Sequence, residues 1–463
     1  MKTRLLLLAL ITFISAGSAF AQHDTTTQVN QYGIVVDHHP LKPEIWNGII
    51  TFSSKKAGYR MWLDNRVYFD GAYFFDKNTY NPIGNGVTIR RARFAVKTII
   101  NSHWYGEVDL DFANSETKMK DMIVGYIFRQ NSGFLKNLRM KAGNFKEGFS
   151  MESTTTSRYV TFIERSLTNT FAPSRHLGFQ ASKFGNRWLA IAGVHFQDLG
   201  GSEEAALSQQ RNKKLGLDEG YSLTGRIVGL PLLGDNGLLH IGLAASYRTP
   251  KTTWETVDGY RVSERAISKI NRKKYFDTDI ITNTSNVVLG DIELAGVYKN
   301  LMFQGEYMIN QVNGTDLNGT AGLSQAKFDG AYFQAGILFF GGRYQYNLAE
   351  GELTQIQHAG NKPVMEIAAR YDYLKLNDFD AGIYGGGGNA YTVGLNYYVN
   401  HNVSFKLDYS YIDLDRYANY RGKLYVGYDE NGDLTKDSFK VDASKGTPGE
   451  QYGMIQLRCE IDF

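Results

Sequence analysis

From residue 60 onward the chain alternates polar and apolar side chains in runs of ~10 residues. This is the period-2 signature of strands whose two faces meet different surroundings. Arg60, Trp62, Asp64, Arg66, Tyr68 and Asp70 share one face of the first run, opposite Met61, Leu63, Asn65, Val67, Phe69, Gly71 and Tyr73. In the next, Arg91, Arg93 and Lys97 oppose Ala92, Phe94 and Val96. Tyr105, Glu107, Asp109 and Asp111 then alternate with Trp104, Gly106, Val108, Leu110 and Phe112. Far downstream, Ser404, Lys406, Asp408 and Ser410 oppose Val403, Phe405, Leu407, Tyr409 and Tyr411. The final run sets Met454, Gln456, Arg458, Glu460 and Asp462 against Gly453, Ile455, Leu457, Cys459, Ile461 and Phe463.

The pattern predicts strands near 60–76, 87–99, 104–113, 119–129, 138–146, 177–184, 187–197, 220–229, 238–248, 288–298, 301–310, 330–340, 364–375, 390–399, 402–412 and 452–463. A run at 342–348 is assigned to a turn, since another strand would break the even count of a bacterial barrel. Short breaks (185–187, 299–300, 400–402) interleave with long ones (147–176, 198–219, 249–287, 311–329, 376–389, 413–451), and Gly385 to Gly388 reads as a loop tip. A sandwich also alternates. Three features favour a barrel instead. The runs are long enough to cross a bilayer at a tilt, where globular strands average ~5–6 residues. Aromatics recur on the apolar face near run ends, as an interfacial girdle requires. The last strand ends on Phe463, like the terminal signal of outer-membrane barrels. The expected fold is all-β: a transmembrane antiparallel barrel of about 16 strands.

Composition agrees. Among 463 residues there are 49 Gly, 30 Tyr and 27 Phe but only 8 Pro and one Cys, which excludes a disulfide framework and suits strands and turns. Residues 1–21 read as a signal peptide: Lys2 and Arg4, an apolar stretch from Leu5 to Ile14, and Ala19-Phe20-Ala21 before the cut. Without Lys2 and Arg4, the 50 basic residues fall to 48 against 47 acidic, so no nucleic-acid partner is indicated. The expected organisation is a signal peptide (1–21), a polar lead (22–58) and a barrel (59–463), exported to a bacterial outer membrane.

Between 87 and 184 an ordered set of motifs appears: Ile89-Arg-Arg-Ala-Arg-Phe94, Glu107-Val-Asp-Leu-Asp-Phe112, Lys120-Asp121, Lys141-Ala-Gly-Asn-Phe-Lys146, Phe162-Ile-Glu-Arg-Ser166 and Ala172-Pro-Ser-Arg-His-Leu-Gly178. With Glu366-Ile-Ala-Ala-Arg-Tyr-Asp-Tyr-Leu374 and Tyr391 to Asn400, the chain resembles the phosphate-selective porin O/P family. The resemblance implies a homotrimer of 16-stranded barrels, a long third loop folded into each pore, and a basic lumen.

An ion entering a constriction loses water, and fixed positive charge offsets that loss. Arginine suits an oxyanion because its planar fork can hold two oxygens. Parity places Arg60, Arg66, Arg91, Arg93, Lys97, Arg139 and Lys141 on the lumen face, and Arg90 on the opposite one at the rim. The resemblance adds Arg90 through the paired-arginine motif, Lys146 beside the constriction, and Asp121 as an acidic counterpart easing release. Each basic residue has a plainer reading too, as half of a cross-strand pair; Glu107, Asp109 and Asp111 follow Arg91 and Arg93 and are placed to neutralise them.

The function expected is a porin for small hydrophilic solutes, with phosphate or other anions favoured by the basic ladder. A general porin without preference stays open, as does a barrel whose surface loops serve adhesion or assembly. No catalysis, metal or cofactor is implied: no GxSxG elbow occurs, and His38-His39 lacks companions. Expected partners are small anions, membrane lipid and lipopolysaccharide. The basic stretch 249–287 reads as a solvated loop, and Cys459 as a lipid-facing filler.

Overall fold

The computed structural model describes residues 29–36, 39–130, 132–199, 214, 220–250 and 259–463; the side chains of 76–78 are excepted. The expected signal peptide lies outside these residues. The chain divides into two units, 1–42 and 43–463. In the first, the Asn30 side chain closes a turn by accepting from the Tyr32 and Ile34 amides.

The second unit is a closed antiparallel barrel of 16 strands. Three short strands lead in: β1 (Lys42–Trp46), β2 (Ile49–Ser54) and β3 (Tyr59–Leu63). The wall begins with β4 (Arg66–Asn78), β5 (Gly86–Ile100), β6 (Trp104–Asp111), β7 (Lys118–Ile127) and β8 (Leu138–Lys146). It continues through β9 (Arg175–Phe184), β10 (Trp188–His195), β11 (Ser222–Gly234) and β12 (Gly237–Arg248). A two-residue pair, β13 (Ser263–Glu264) with β14 (Phe276–Asp277), sits in the following loop. Next come β15 (Thr284–Tyr298), β16 (Leu301–Gly314) and β17 (Gln325–Phe339). A separate hairpin, β18 (Arg343–Asn347) with β19 (Glu352–Gln357), precedes β20 (Val364–Asp378), β21 (Ile383–Tyr398) and β22 (Val403–Leu414). A small pair, β23 (Gly427–Tyr428) with β24 (Leu434–Thr435), interrupts the last loop before β25 (Glu450–Asp462). Pairing of β25 with β4, from Asp462↔Arg66 to Gln451↔Asn78, closes the ring.

All 16 expected strands form, and the parity of the final run is as expected. Arg458, Glu460 and Asp462 are buried, while Leu457, Ile461 and Phe463 point outward. Trp104, Tyr126 and Phe128 pack edge to face near the 101–103 turn, where an interfacial girdle belongs. Closure removes free edges, and the outward apolar side chains remove polar groups from the lipid face.

Four expectations need correction. Residues 342–348 are not simply a turn: they form β18, but its hairpin lies outside the wall, so the count stays even. Residues 42–54, expected as part of a polar lead, form β1 and β2. Gly385 to Gly388 lie within β21, not at a loop tip. At Gly386 (φ +92°) a Cβ would stand 2.6 Å from the Ala418 backbone of the packed last loop, so only glycine fits. The loop 249–287 is not simply solvated: in its described part Val262, Ala266, Ile267, Tyr275, Phe276 and Ile281 are buried. They join Val287, Leu289, Met308, Val312, Phe328, Leu374, Leu376, Ile412 and Leu414 from the wall in one apolar cluster at the long-loop end. Sequence periodicity is blind to such loop packing, because the loop has no period.

Candidate functional site: a basic cavity along one side of the lumen

A cavity of about 960 Å³ runs along the inner faces of β3 to β10. Residues 127–130, 136 and 137 of the β7–β8 turn line its short-turn end, so it reaches that end of the barrel. Arginine and lysine outnumber carboxylates about its wall by more than two to one.

Most candidates named from sequence meet here. Arg60 lines the cavity with its guanidinium 5.0 Å from the Trp46 ring and 5.5 Å from Trp62. Arg66 is held by Asp64 at 2.7 Å and donates to Thr156 and Ser157. Arg93 takes both acidic neighbours, Asp109 at 3.4 Å and Asp111 at 3.2 Å. Lys97 lies between Asp64 (2.9 Å) and Glu107 (3.1 Å). Arg139 reaches Glu350 of the β18–β19 hairpin at 2.8 Å. Asp121 is bound by both arms of Arg175, at 3.1 and 2.6 Å. The pairwise reading therefore holds for these residues except Arg60, which meets only the two rings.

It fails for four others. Arg91 has no carboxylate partner among the described residues; its Nε is buried without a hydrogen bond, and its guanidinium lies 6.0 Å from the Tyr68 ring. Lys141 sits 4.1 Å over the Phe145 ring. Lys146 donates to the Ser153 carbonyl, and Arg165 to the Glu152 and Thr155 carbonyls. These carbonyls are neutral and leave the positive charge uncancelled. Burial presses Arg165 below its ordinary range; Glu152 opposes this, while Arg175 and Arg93 add to it. It stays charged, since arginine starts above 12.

Arg90 departs from its expected place. The β4–β5 register jumps from Tyr68↔Arg91 to Phe69↔Ile89, leaving Arg90 as the extra residue of a bulge. The bulge resets parity, so Arg90 and Arg91 both turn inward. Arg90 binds Glu164 through two nitrogens, at 2.5 and 3.0 Å. Burial alone would raise the Glu164 carboxyl, but Arg90, with help from Arg458, holds it down to about 2.

Glu164 belongs to the segment between β8 and β9, whose hydrogen bonds reach strands far from it around the ring. The Ile163 amide donates to Asp408 and the Leu167 amide to Asp372. Arg370 donates to the Glu164 carbonyl, Lys406 to that of Val160, and Asn396 to that of Thr161. Ser150 and the Glu152 amide donate to Glu306. At its root Gly143 has φ +129°, and a Cβ there would stand 1.9 Å from the Met122 carbonyl. A side chain would break this bend.

Arg158, Arg165, Arg175, Glu350 and Glu352 also line the cavity and were missed as candidates. Arg165 and Arg175 stand inside motifs already recognised, so motif position was the available signal. Arg158, Glu350 and Glu352 had none.

A closed 16-stranded barrel with an ionised cavity in its interior is the architecture of a porin-type channel. Comparison with known proteins agrees. The model of the family "Phosphate-selective porin O and P" matches residues 59–431, and the chain belongs to that family. It is 26% identical over 376 residues to an uncharacterized protein of Caulobacter vibrioides, covering 80% of this chain and 71% of that one. It is 23% identical over 412 residues to Porin O of Pseudomonas aeruginosa, covering 82% and 86%. Among solved structures, OmpT from the outer membrane of Vibrio cholerae aligns with a TM-score of 0.50 at 11% identity, over 88% of this chain and 98% of that one. That last likeness is one of fold. The protein is a porin of a bacterial outer membrane.

Proposed function

We propose that this porin favours small oxyanions, phosphate among them, and that the cavity beside β3 to β10 is their route. The observation carrying the proposal is the set Arg91, Lys141, Lys146 and Arg165: four half-buried cations on one cavity, without a carboxylate among their partners in the described residues. A dehydrated anion passing them gains charge-assisted hydrogen bonds that the protein does not itself satisfy. The paired cations Arg66, Arg93, Lys97 and Arg175 shape the route, and Asp121, held by Arg175, keeps binding weak enough for release. Segment 147–174 narrows the passage through its contacts across the ring. The Porin O relative and the family support this reading, as does the excess of basic residues in the cavity. Export through a cleaved leader, lipopolysaccharide contact and a homotrimeric assembly belong to the same proposal.

Reversal potentials across a planar bilayer test it. In a potassium chloride gradient, chloride should be preferred several-fold, and millimolar phosphate should reduce chloride current. Replacing Arg91 and Lys146 together by Ala should bring the ratio towards one. Preference for potassium would overturn the anion reading, no preference would return the protein to an unselective porin, and an unchanged ratio in the double variant would remove these two cations from the route.

A further inference from the structure

On the opposite side of the lumen, β15 and β16 place Glu293 directly across from Glu306, with Asp291 two residues along on the same face. All three are at least nine-tenths buried, and one oxygen from each lies within 4.8 Å of the others. Like charges directly opposite on a sheet repel, and burial removes the water that would screen them. Two carboxylates have answers. Glu293 receives Arg226 through both oxygens at 2.7 and 2.8 Å, and His240 Nε2 at 2.9 Å. Glu306 accepts from Ser150 at 2.5 Å, the Glu152 amide at 2.6 Å and Tyr332 at 2.8 Å. Asp291 has none: both its carboxylate oxygens are buried without a hydrogen bond.

We infer that Asp291, Glu293 and Glu306 form a binding site for a divalent cation such as calcium. Arg226 balances one of three negative charges, and the two left over match one such ion. Calcium binds oxygen at 2.3–2.6 Å, so two of its ligands stand up to ~5 Å apart, and three oxygens that lie within 4.8 Å of one another can share one such ion. Asp291 would supply its two idle oxygens. Because Glu306 also receives Ser150 and the Glu152 amide, the ion would brace the root of segment 147–174 against the wall, while the anion route lies on the other side.

The test uses the full barrel, purified in detergent and stripped with a chelator. Terbium is the probe, since Tyr332 beside Glu306 can sensitise its emission. About one ion per chain should bind with tyrosine-sensitised luminescence, calcium below ~1 mM should displace it, and calcium should raise the unfolding temperature. Asp291→Asn keeps the shape and removes the charge. It should fold at least as well as the stripped wild type, lose the luminescent site by tenfold or more, and no longer respond to calcium. Glu306→Gln should weaken binding likewise. A wild type that binds no terbium, or an Asp291→Asn variant that binds it unchanged, would overturn the inference in favour of protons shared among the carboxylates.

Discussion

The two sides of the lumen are built from the same alternating strands, yet they do different things. Beside β3 to β10 the wall leaves a cavity, and several of its cations face only carbonyls, rings or space. Beside β11 to β25 the lumen is filled. Loops pack an apolar cluster at one end, the β18–β19 hairpin packs Tyr344 and Leu353 against Met302, Leu338 and Val364 at the other, and ion pairs close the middle. There Arg226 holds Glu293, Arg370 holds Asp372, Lys406 holds Glu460, and Arg458 grips Asp70 with both arms at 2.7 and 2.8 Å. What separates the sides is not the charge on the strands but what the connecting segments bring against them. A lumen charge that meets its opposite becomes structure; one that meets a carbonyl stays available to a passing ion.

The same substitution should therefore read differently on each side. Arg458→Met leaves Asp70 buried and uncompensated, a loss of about 3–5 kcal/mol. We expect a marked fall in the temperature at which the barrel unfolds on heated gels. Arg91→Met removes a half-buried charge that has no carboxylate partner among the described residues, so its unfolding temperature should hold or rise while chloride preference falls. If both variants behave alike in both assays, the division between the sides is wrong.

Phe276→Ala, in the apolar cluster, should cost about 3–5 kcal/mol by truncation and leave a void. Its sharper readout is conductance: loosening the packed end should enlarge single-channel steps or add noise, with ion preference unchanged.

A smaller effect concerns Glu352, on the hairpin that does not span the membrane but lines the cavity. Burial pushes its carboxyl up to about 8, Glu350 adds to the rise, and Lys146 opposes it. Below that pH Glu352 is neutral and the cavity keeps its positive excess; above it a negative charge appears. Anion preference should thus decline as pH rises through 8. Glu352→Gln should abolish that step, which reversal potentials between pH 6 and 9 would show.

Gly143→Ala should have the smallest reach, disturbing the bend before segment 147–174. The new Cβ would meet the Met122 carbonyl of the paired strand, so the β7–β8 pairing should loosen locally, and broader subconductance states would register it.

The linear order of residues determined the wall. Alternation along each run specified which side chain meets lipid and which meets water, because a pleated strand has a strict period of two. The length of the runs and their even count then left little besides a closed ring. That same period named Arg66, Arg91, Arg93 and Lys97 as interior. It misplaced Arg90, because a bulge adds a residue without leaving a mark in the hydrophobic pattern. Nor could it say that Arg93 would be cancelled and Arg91 left over: Asp109 and Asp111 follow both equally well in sequence, and only register chooses between them. The filling of one half of the lumen was beyond the reach of any local pattern. Loops 147–174 and 259–283 and the β18–β19 hairpin act through contacts up to hundreds of residues away, and such contacts exist only once the ring has closed and brought its two walls face to face.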